Sequence, residues 1–283
     1  MTARAFTAKD APRPRILCVG THHKTGTVWM RSVFREISEV LNIPLMGIHR
    51  PRKYTRIPDE GRVIVVNWGS RFAPELWDRP DARFFHLIRD PRDVLLSGAR
   101  YHETTAMRTE RFLYEPRDDL GGKSYQEHLR SLPGLEEKLA FEMAEAHRRT
   151  LAEMLDWPYG HQRALDLRYE DLIVDTKARL FAEVLEFFGF AAEEIEKGCK
   201  IFVKNSLFGG LADGGVSGRS ASHVKSGKPA QWMRALPAAT ARLYHEKHAD
   251  DLIALGYETD ASWLAQATKE AAKPQPDKDV RGN

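Results

Sequence analysis

Lys24, Gly26 and the hydroxyls of Thr25 and Thr27 lie within four consecutive residues, between two apolar segments. The first segment, residues 16–19, ends at Gly20; the second is amphipathic and begins at Val28 and Trp29. Strand, small-residue loop and helix together are the build of a phosphate cradle. Backbone N–H groups at the helix N-terminus point at an anion, and the helix dipole favours its charge. Gly26 lets the backbone approach a ligand closely, and Lys24 adds a compact positive charge. The plainer alternative is an ordinary strand–turn–helix in which Thr25 or Thr27 caps the helix. The loop is not a Walker A motif, which needs lysine directly after its second glycine and then Ser or Thr. Here Lys24 precedes Gly26 by two positions, so the magnesium-binding hydroxyl is out of place.

A second group follows the apolar run at residues 84–88. Arg89 stands at its carboxyl end, Asp90-Pro91 breaks the strand, and Ser97 lies eight residues after Arg89. A planar guanidinium grips a phosphate through two parallel hydrogen bonds. The competing reading is ion pairing of Arg89 or Arg92 with Asp90 or Asp93. That reading is adopted for Arg92 and Asp93 but not for Arg89.

These stretches resemble the sulfotransferase family. Lys-Thr-Gly-Thr-Val-Trp at 24–29 is similar to its 5′-phosphosulfate loop, usually Pro-Lys-Ser-Gly-Thr-Thr-Trp. Residues 89–97 resemble its 3′-phosphate motif Arg-Asn-Pro-Lys-Asp-Val-x-x-Ser, with Asp90 for Asn and Arg92 for Lys. Residues 168–172, RYEDL, resemble its Tyr-Glu-Asp-Leu segment. Residues 225–232, KSGKPAQW, match Arg-Lys-Gly-x-x-Gly-x-Trp in part, with Ser226 for Lys and Ala230 for the second Gly. The likeness spans residues 15 to 260. It implies 3′-phosphoadenosine 5′-phosphosulfate (PAPS) as sulfuryl donor, with 3′,5′-ADP and a sulfate ester as products. Lys24, Thr25, Gly26, Thr27 and Trp29 would then cradle the 5′-phosphate, with Lys24 also catalytic. Arg89, Ser97, Lys225 and Gly227 would hold the 3′-phosphate. Tyr169 would meet the adenine or, alternatively, pack on the core. No metal is implied.

The likeness fails at the general base. The cytosolic branch carries His in Lys-Thr-His-Leu-Pro, where this chain reads Val66-Asn67-Trp68-Gly69. Asparagine is no base near neutral pH. His49, ending the second apolar strand, is the first choice as catalytic base, with His102 and then Glu75 after it. His86 falls inside a strand and is expected to pack or to orient a neighbour. His22 and His23 are expected to be spacers in the loop.

To position these residues the chain needs strands at 16–19, 45–49, 63–68, 84–88 and 164–167. Helices at 28–41, 93–101, 135–155, 176–188 and 237–256 alternate with them. Alternation of this kind predicts an α/β, P-loop-like three-layer fold: a central, mostly parallel sheet flanked by helices, with ligands at the carboxyl ends of the strands. Residues 1–14 read as a loose arm, 15–268 as one sulfotransferase domain, 209–227 as a mobile Gly/Ser-rich stretch and 269–283 as a disordered tail.

The 283 residues, 42% hydrophobic and 29% charged, are ordinary for a globular protein. A net charge of +3 suits an anionic ligand in a local cleft and does not imply nucleic acid. Two cysteines, Cys18 and Cys199, show no metal spacing and point to a reducing, cytoplasmic setting. The N-terminus reads as no signal peptide, and no apolar run reaches membrane-spanning length. The acceptor pocket is expected in loops 50–62, 103–135 and 206–224. There Tyr54, Tyr101, Phe112 and Tyr114, with Trp68 nearby, suit a small-molecule phenol, a carbohydrate or a lipid headgroup. A homodimer is left open. Two other classes stay open: a P-loop kinase of a small molecule, and a catalytically silent 3′,5′-ADP-binding module.

Overall fold

The computed structural model describes residues 13–108, 110–206, 228–265 and 267. Lys225 and Gly227, the 209–227 stretch, the 269–283 tail and all but two residues of the 1–14 arm lie outside them. The chain divides into two compact units, one from residues 1–88 and 157–227, the other from 89–156 and 228–283.

The first unit is built on a five-stranded sheet: β1 (Ile16–Thr21), β2 (Leu45–Gly47), β3 (Val63–Asn67), β4 (Ala82–Ile88) and β5 (Ala164–Arg168). Its order is β2-β3-β1-β4-β5 and every pairing is parallel. The continuous apolar runs of β1, β3 and β4 are buried throughout, as strands covered on both faces must be. Side chains alternate between faces. Leu17, Val19, Ile64, Val66, Phe85 and Leu87 enter one core with α1 (Thr27–Val40), α8 (Arg179–Phe187) and α9 (Ala192–Lys204). Ile16, Cys18, Val63, Val65, Ala82 and Phe84 enter the opposite core with Phe72, Trp157 and Leu76 of α2 (Pro74–Trp77). The short α7 (Tyr169–Leu172) follows β5 directly. The expected fold class therefore holds, with the sheet parallel throughout.

The second unit is helical: α3 (Pro91–Thr104), α4 (Tyr125–Ser131), α5 (Leu135–Glu142), α6 (Arg148–Leu155), α10 (Trp232–Ala235) and α11 (Ala238–Ala254). Pro91 at the first helical position and the Asp90 carboxylate, which accepts the Arg92 N–H at 2.9 Å, start α3. α5 and α6 are the single helix expected over 135–155, joined through a π turn at Met143–His147. Leu95, Leu139, Met143, Trp232, Tyr244 and Trp263 fill the core of this unit. Among the described residues no helix is long and apolar enough to cross a membrane.

Candidate active site

The loop between β1 and α1 turns on two left-handed residues, Lys24 (φ 66°) and Gly26 (φ 104°). Gly26 is obligatory on two counts. Its φ disfavours any side chain, and a Cβ there would lie 3.1 Å from the Tyr169 ring and 3.2 Å from Leu87. Lys24 pays a left-handed penalty of roughly 1–2 kcal/mol, the kind of local strain that a surrounding structure must hold in place.

What holds it is the His22 carbonyl. It accepts the Thr25 N–H (3.2 Å), the Thr25 hydroxyl (3.0 Å) and the Thr27 hydroxyl (2.7 Å). The Thr25 hydroxyl in turn accepts the His22 N–H at 2.8 Å. Because Thr27 spends its one proton on His22, Thr21 donates to Thr27 across 2.8 Å. Neither threonine caps α1, whose N-cap is Gly26 with no side-chain cap. The plain-cap reading therefore fails, and the hydroxyls build the loop instead. The first helical hydrogen bond is Met30 N–H to Gly26 O, 3.0 Å, so the amides of Thr27, Val28 and Trp29 lead the helix. These amides and the half-buried Lys24 stand together after β1, an arrangement that can take up an anion.

Trp29 is the anchor of that helix. Its ring lies 4.9 Å from Phe202 and edge-on to Tyr169 at 6.2 Å. Tyr169, 5% exposed, belongs to the same core.

Three residues behind the loop, two buried histidines and a half-buried aspartate, form a chain that sequence reasoning treated one by one or passed over. His86 on β4 reaches Asp166 on β5 through Nδ1 (3.2 Å) and His22 through Nε2 (2.8 Å). A carboxylate only accepts, so His86 carries its proton on Nδ1 and His22 donates from Nε2. Trp157 donates its indole N–H to the same Asp166 oxygen (2.7 Å) and stacks on the His86 ring at 3.9 Å. Burial, assisted by repulsion from His22 and opposed by Asp166, pushes His86 down to about 4. The imidazole is therefore neutral across the neutral range. One sequence signal pointed here: a lone carboxylate inside the apolar run of β5.

Asn67 ends β3 abreast of Gly20. Its amide donates to the carbonyls of Ile48 (2.9 Å) and Arg71 (2.8 Å), and its oxygen accepts the Gly69 N–H (3.1 Å). Asn67 thus clamps the turn after β3 to the end of β2. Ser70 in that turn donates to Thr21 O at 3.1 Å, and a Cβ on Gly20 would lie 2.7 Å from the Ser70 hydroxyl. His49 lies just beyond β2, exposed, with β3 between its strand and β1. Partial burial and the positive charges of Lys53, Arg31 and Arg71 lower its pKa and favour the neutral imidazole. Glu75 is exposed on α2.

In the helical unit Arg89 is buried and meets Asp93 at 3.4 Å. Arg92 is held in a network. It grips Asp90 through two bonds of 2.9 and 2.7 Å, meets Glu258 at 2.5 Å and lies 3.7 Å from the centre of the Trp232 ring. The structural reading of Arg92 and Asp93 therefore holds. Asp93 also accepts the Trp232 N–H at 2.9 Å, which joins the last residue of the fourth motif to the second. Ala230, where the resemblance calls for glycine, adopts φ 55°, the backbone a glycine would favour. Ser97 is half-buried on α3. His102 is fully buried, with Nδ1 2.9 Å from Glu142, which also accepts the Tyr125 hydroxyl at 2.7 Å.

No protein-family profile matches the chain, and no curated protein sequence matches it. Solved structures do. Mouse sulfotransferase SULT7A1 complexed with PAP is similar at 15% identity and TM-score 0.52, over 93% of this chain and 90% of that one. Retinol dehydratase in complex with androsterone and the inactive cofactor PAP is similar at 18% identity and TM-score 0.51, over 86% and 82%. Retinol dehydratase with retinol and PAP is similar at 16% identity and TM-score 0.53, over 86% and 83%. At these identities the likeness is one of fold: this chain has the α/β fold of PAP-bound sulfotransferases.

Proposed function

We propose that the chain is a sulfotransferase that moves a sulfuryl group from PAPS to a hydroxyl or amine of an acceptor. The observation that carries this reading is the 22–29 loop, a strained cradle at the carboxyl end of a central parallel strand, on a fold whose solved relatives hold PAP. The donor, when bound, supplies an activated sulfuryl group.

The amides that open α1 hold the donor's 5′-phosphate, and Lys24 offsets the charge that builds on the bridging oxygen as the sulfuryl group leaves. Arg89 and Ser97 hold the 3′-phosphate, joined by Lys225 and Gly227 from outside the described residues. Trp29 belongs to the 5′-phosphate cradle, and Tyr169, packed beside Gly26, meets the adenine. His49 takes the acceptor's proton. Asn67 is committed to its clamp between Ile48, Gly69 and Arg71, so the base is sought elsewhere. The lysine and the amide cradle do the electrostatic work that a metal does elsewhere. Residues 15–268 act as one sulfotransferase domain, and the free thiols of Cys18 and Cys199 suit a cytoplasmic setting.

The test is thermal stabilisation followed by a transfer assay. Arg89 and Ser97 read the 3′-phosphate, so 3′,5′-ADP should raise the melting temperature well beyond 5′-AMP or ATP. Equal shifts for 5′-AMP and 3′,5′-ADP would sink the donor assignment. Stabilisation by 3′,5′-ADP without sulfated product from a broad acceptor panel would leave a silent nucleotide-binding module.

A further inference from the structure

Beyond the donor loop, the same rim of the sheet gathers positive charge from three separate elements. Arg31 comes from α1, Lys53 from the 3₁₀ turn at Pro51–Arg56, and Arg71 from the turn after β3. All three side chains are exposed. The backbone contacts that assemble them are specific. The Asn67 amide bridges the carbonyl of Ile48, next to His49, and the carbonyl of Arg71. The Tyr54 hydroxyl accepts the Ala73 N–H at 3.2 Å, tying the 3₁₀ turn to the segment after Arg71. The Arg31 guanidinium lies 5.4 Å from the centre of the Trp68 ring. His49 sits among these groups and feels Lys53, Arg31 and Arg71.

The sequence around them is one-sided. No Asp or Glu occurs from residue 42 to 58 or from 61 to 74. α1 carries two acids, Glu36 and Glu39, both beyond its first turn, and Glu36 is engaged by Lys204 at 2.7 Å and Asn205 at 2.9 Å. The chain as a whole carries 43 basic and 40 acidic residues, so this rim departs from the rest of the molecule. It also adjoins the donor loop, because Ser70 of the same turn bonds the Thr21 carbonyl. Ligands of parallel sheets bind at this end of the strands.

We propose that Arg31, Lys53 and Arg71 form a subsite for a negatively charged group on the acceptor. The molecule to be sulfated then already carries a carboxylate, a sulfate or a phosphate, as an acidic saccharide does. This deepens, and rests on, the sulfotransferase reading. The cations anchor the acceptor's anionic group while His49, among them, faces its hydroxyl.

The experiment measures binding directly. Three soluble probes sharing one scaffold are titrated calorimetrically into the full chain, with and without 3′,5′-ADP: methylumbelliferyl glucoside, the corresponding glucuronide, and the glucoside 6-sulfate. The two anionic probes should bind about tenfold tighter than the neutral one, as two or three exposed ion pairs allow, and added salt should erode only that advantage. The double variant Lys53→Gln/Arg71→Gln should abolish the preference and leave 3′,5′-ADP affinity within about twofold of the parent. Both side chains are exposed, and the Arg71 carbonyl keeps its bond to Asn67, so the fold is spared. A glucoside that binds as well as its anionic twins, or a preference that survives the double variant, would overturn the subsite. So would sedimentation with phosphatidylglycerol vesicles but not phosphatidylcholine ones while the soluble anions are ignored, since the rim would then be a membrane contact. An anion preference without any transfer would count against the enzymatic reading alone; transfer to neutral acceptors without an anion preference would count against the subsite alone.

Discussion

In the proposed reaction Lys24 and His49 are asked to do opposite things with charge. Lys24 must stay cationic near the donor; its left-handed backbone sets it in the loop at an energetic cost that ordinary packing would not select. As the proposed base His49 must be neutral to accept a proton, and partial burial, joined by three neighbouring cations, pushes its pKa down. A base is competent above its pKa, so the rate plateau should extend below the ordinary histidine value near 6.5 before it declines. We expect Lys24→Ala to cost turnover about 100- to 1,000-fold, with a much smaller loss of 3′,5′-ADP binding, because its partner is charge that develops during reaction. His49→Ala should lose about 100- to 10,000-fold while binding 3′,5′-ADP normally. Assays of sulfated product for these two beside His102→Ala and Glu75→Ala decide the matter. Full activity in His49→Ala with loss in one of the others would reassign the base. His102 is the weaker rival on structural grounds, being fully buried against Glu142.

At the scale of elements, β4 and β5 brace the loop between β1 and α1 from behind. Their register sets His86 beside Asp166 and Gly20 beside His86, which brings the His22 ring within 2.8 Å of His86. The His22 carbonyl that organises Thr25 and Thr27 is thereby tied to two strands. His86→Leu leaves the buried His22 Nε2–H without its acceptor, at a cost of about 1–3 kcal/mol. Affinity for 3′,5′-ADP should fall about tenfold with it. His86→Gln places an amide oxygen where Nε2 was and should restore most of that affinity. Similar affinities for the Leu and Gln variants would show that the ring only fills space. Elsewhere the elements differ from expectation in instructive ways. α9, Ala192–Lys204, went unread because its charged face hides Ile201 and Phe202, which close the core against Trp29 and Phe181. The expected loop at 50–62 contains a 3₁₀ turn, and the one at 103–135 contains α4 with a Ser124–Glu127 capping box.

For the whole molecule, each unit buries one strongly perturbed histidine. His86 is held at about 4, chiefly by desolvation. His147 is held at about 3, again by burial, with His248 adding repulsion, and its Nε2 lies 3.0 Å from the Tyr244 hydroxyl. Both folded values lie below the unfolded value near 6.5, so between pH 6.5 and about 4 the unfolded chain binds protons that the folded chain refuses. Stability is fully present above pH 6.5 and declines as pH falls through that window, by on the order of 1 kcal/mol per pH unit for each histidine. Melting curves from pH 7 to pH 4 should show this decline, and His147→Gln should flatten it. A wild-type curve that is level to pH 5 would contradict the burial of both groups.

The sequence by itself determined the parts whose signals are local. The apolar runs of β1, β3 and β4, the loop with Gly26, the Asp90-Pro91 start of α3 and the parallel α/β class follow from patterning, turn chemistry and capping, which need no distant partner. Arg92 could be read as structural because its carboxylate partner, Asp90, lies two residues away. Tertiary structure decided what depends on residues far apart in the chain. Asn67 reads as a lost base until its amide is seen to bridge Ile48 and Arg71. That the Tyr169 ring lies against Gly26 is likewise invisible in a sequence that separates them by 143 positions. The chain from Asp166 through His86 to His22 spans 144 residues, and only parallel register in a twisted sheet makes neighbours of them. The cationic rim likewise exists only because the Asn67 clamp folds the turn after β3 onto the end of β2, bringing together charges that a linear sequence spreads over three elements.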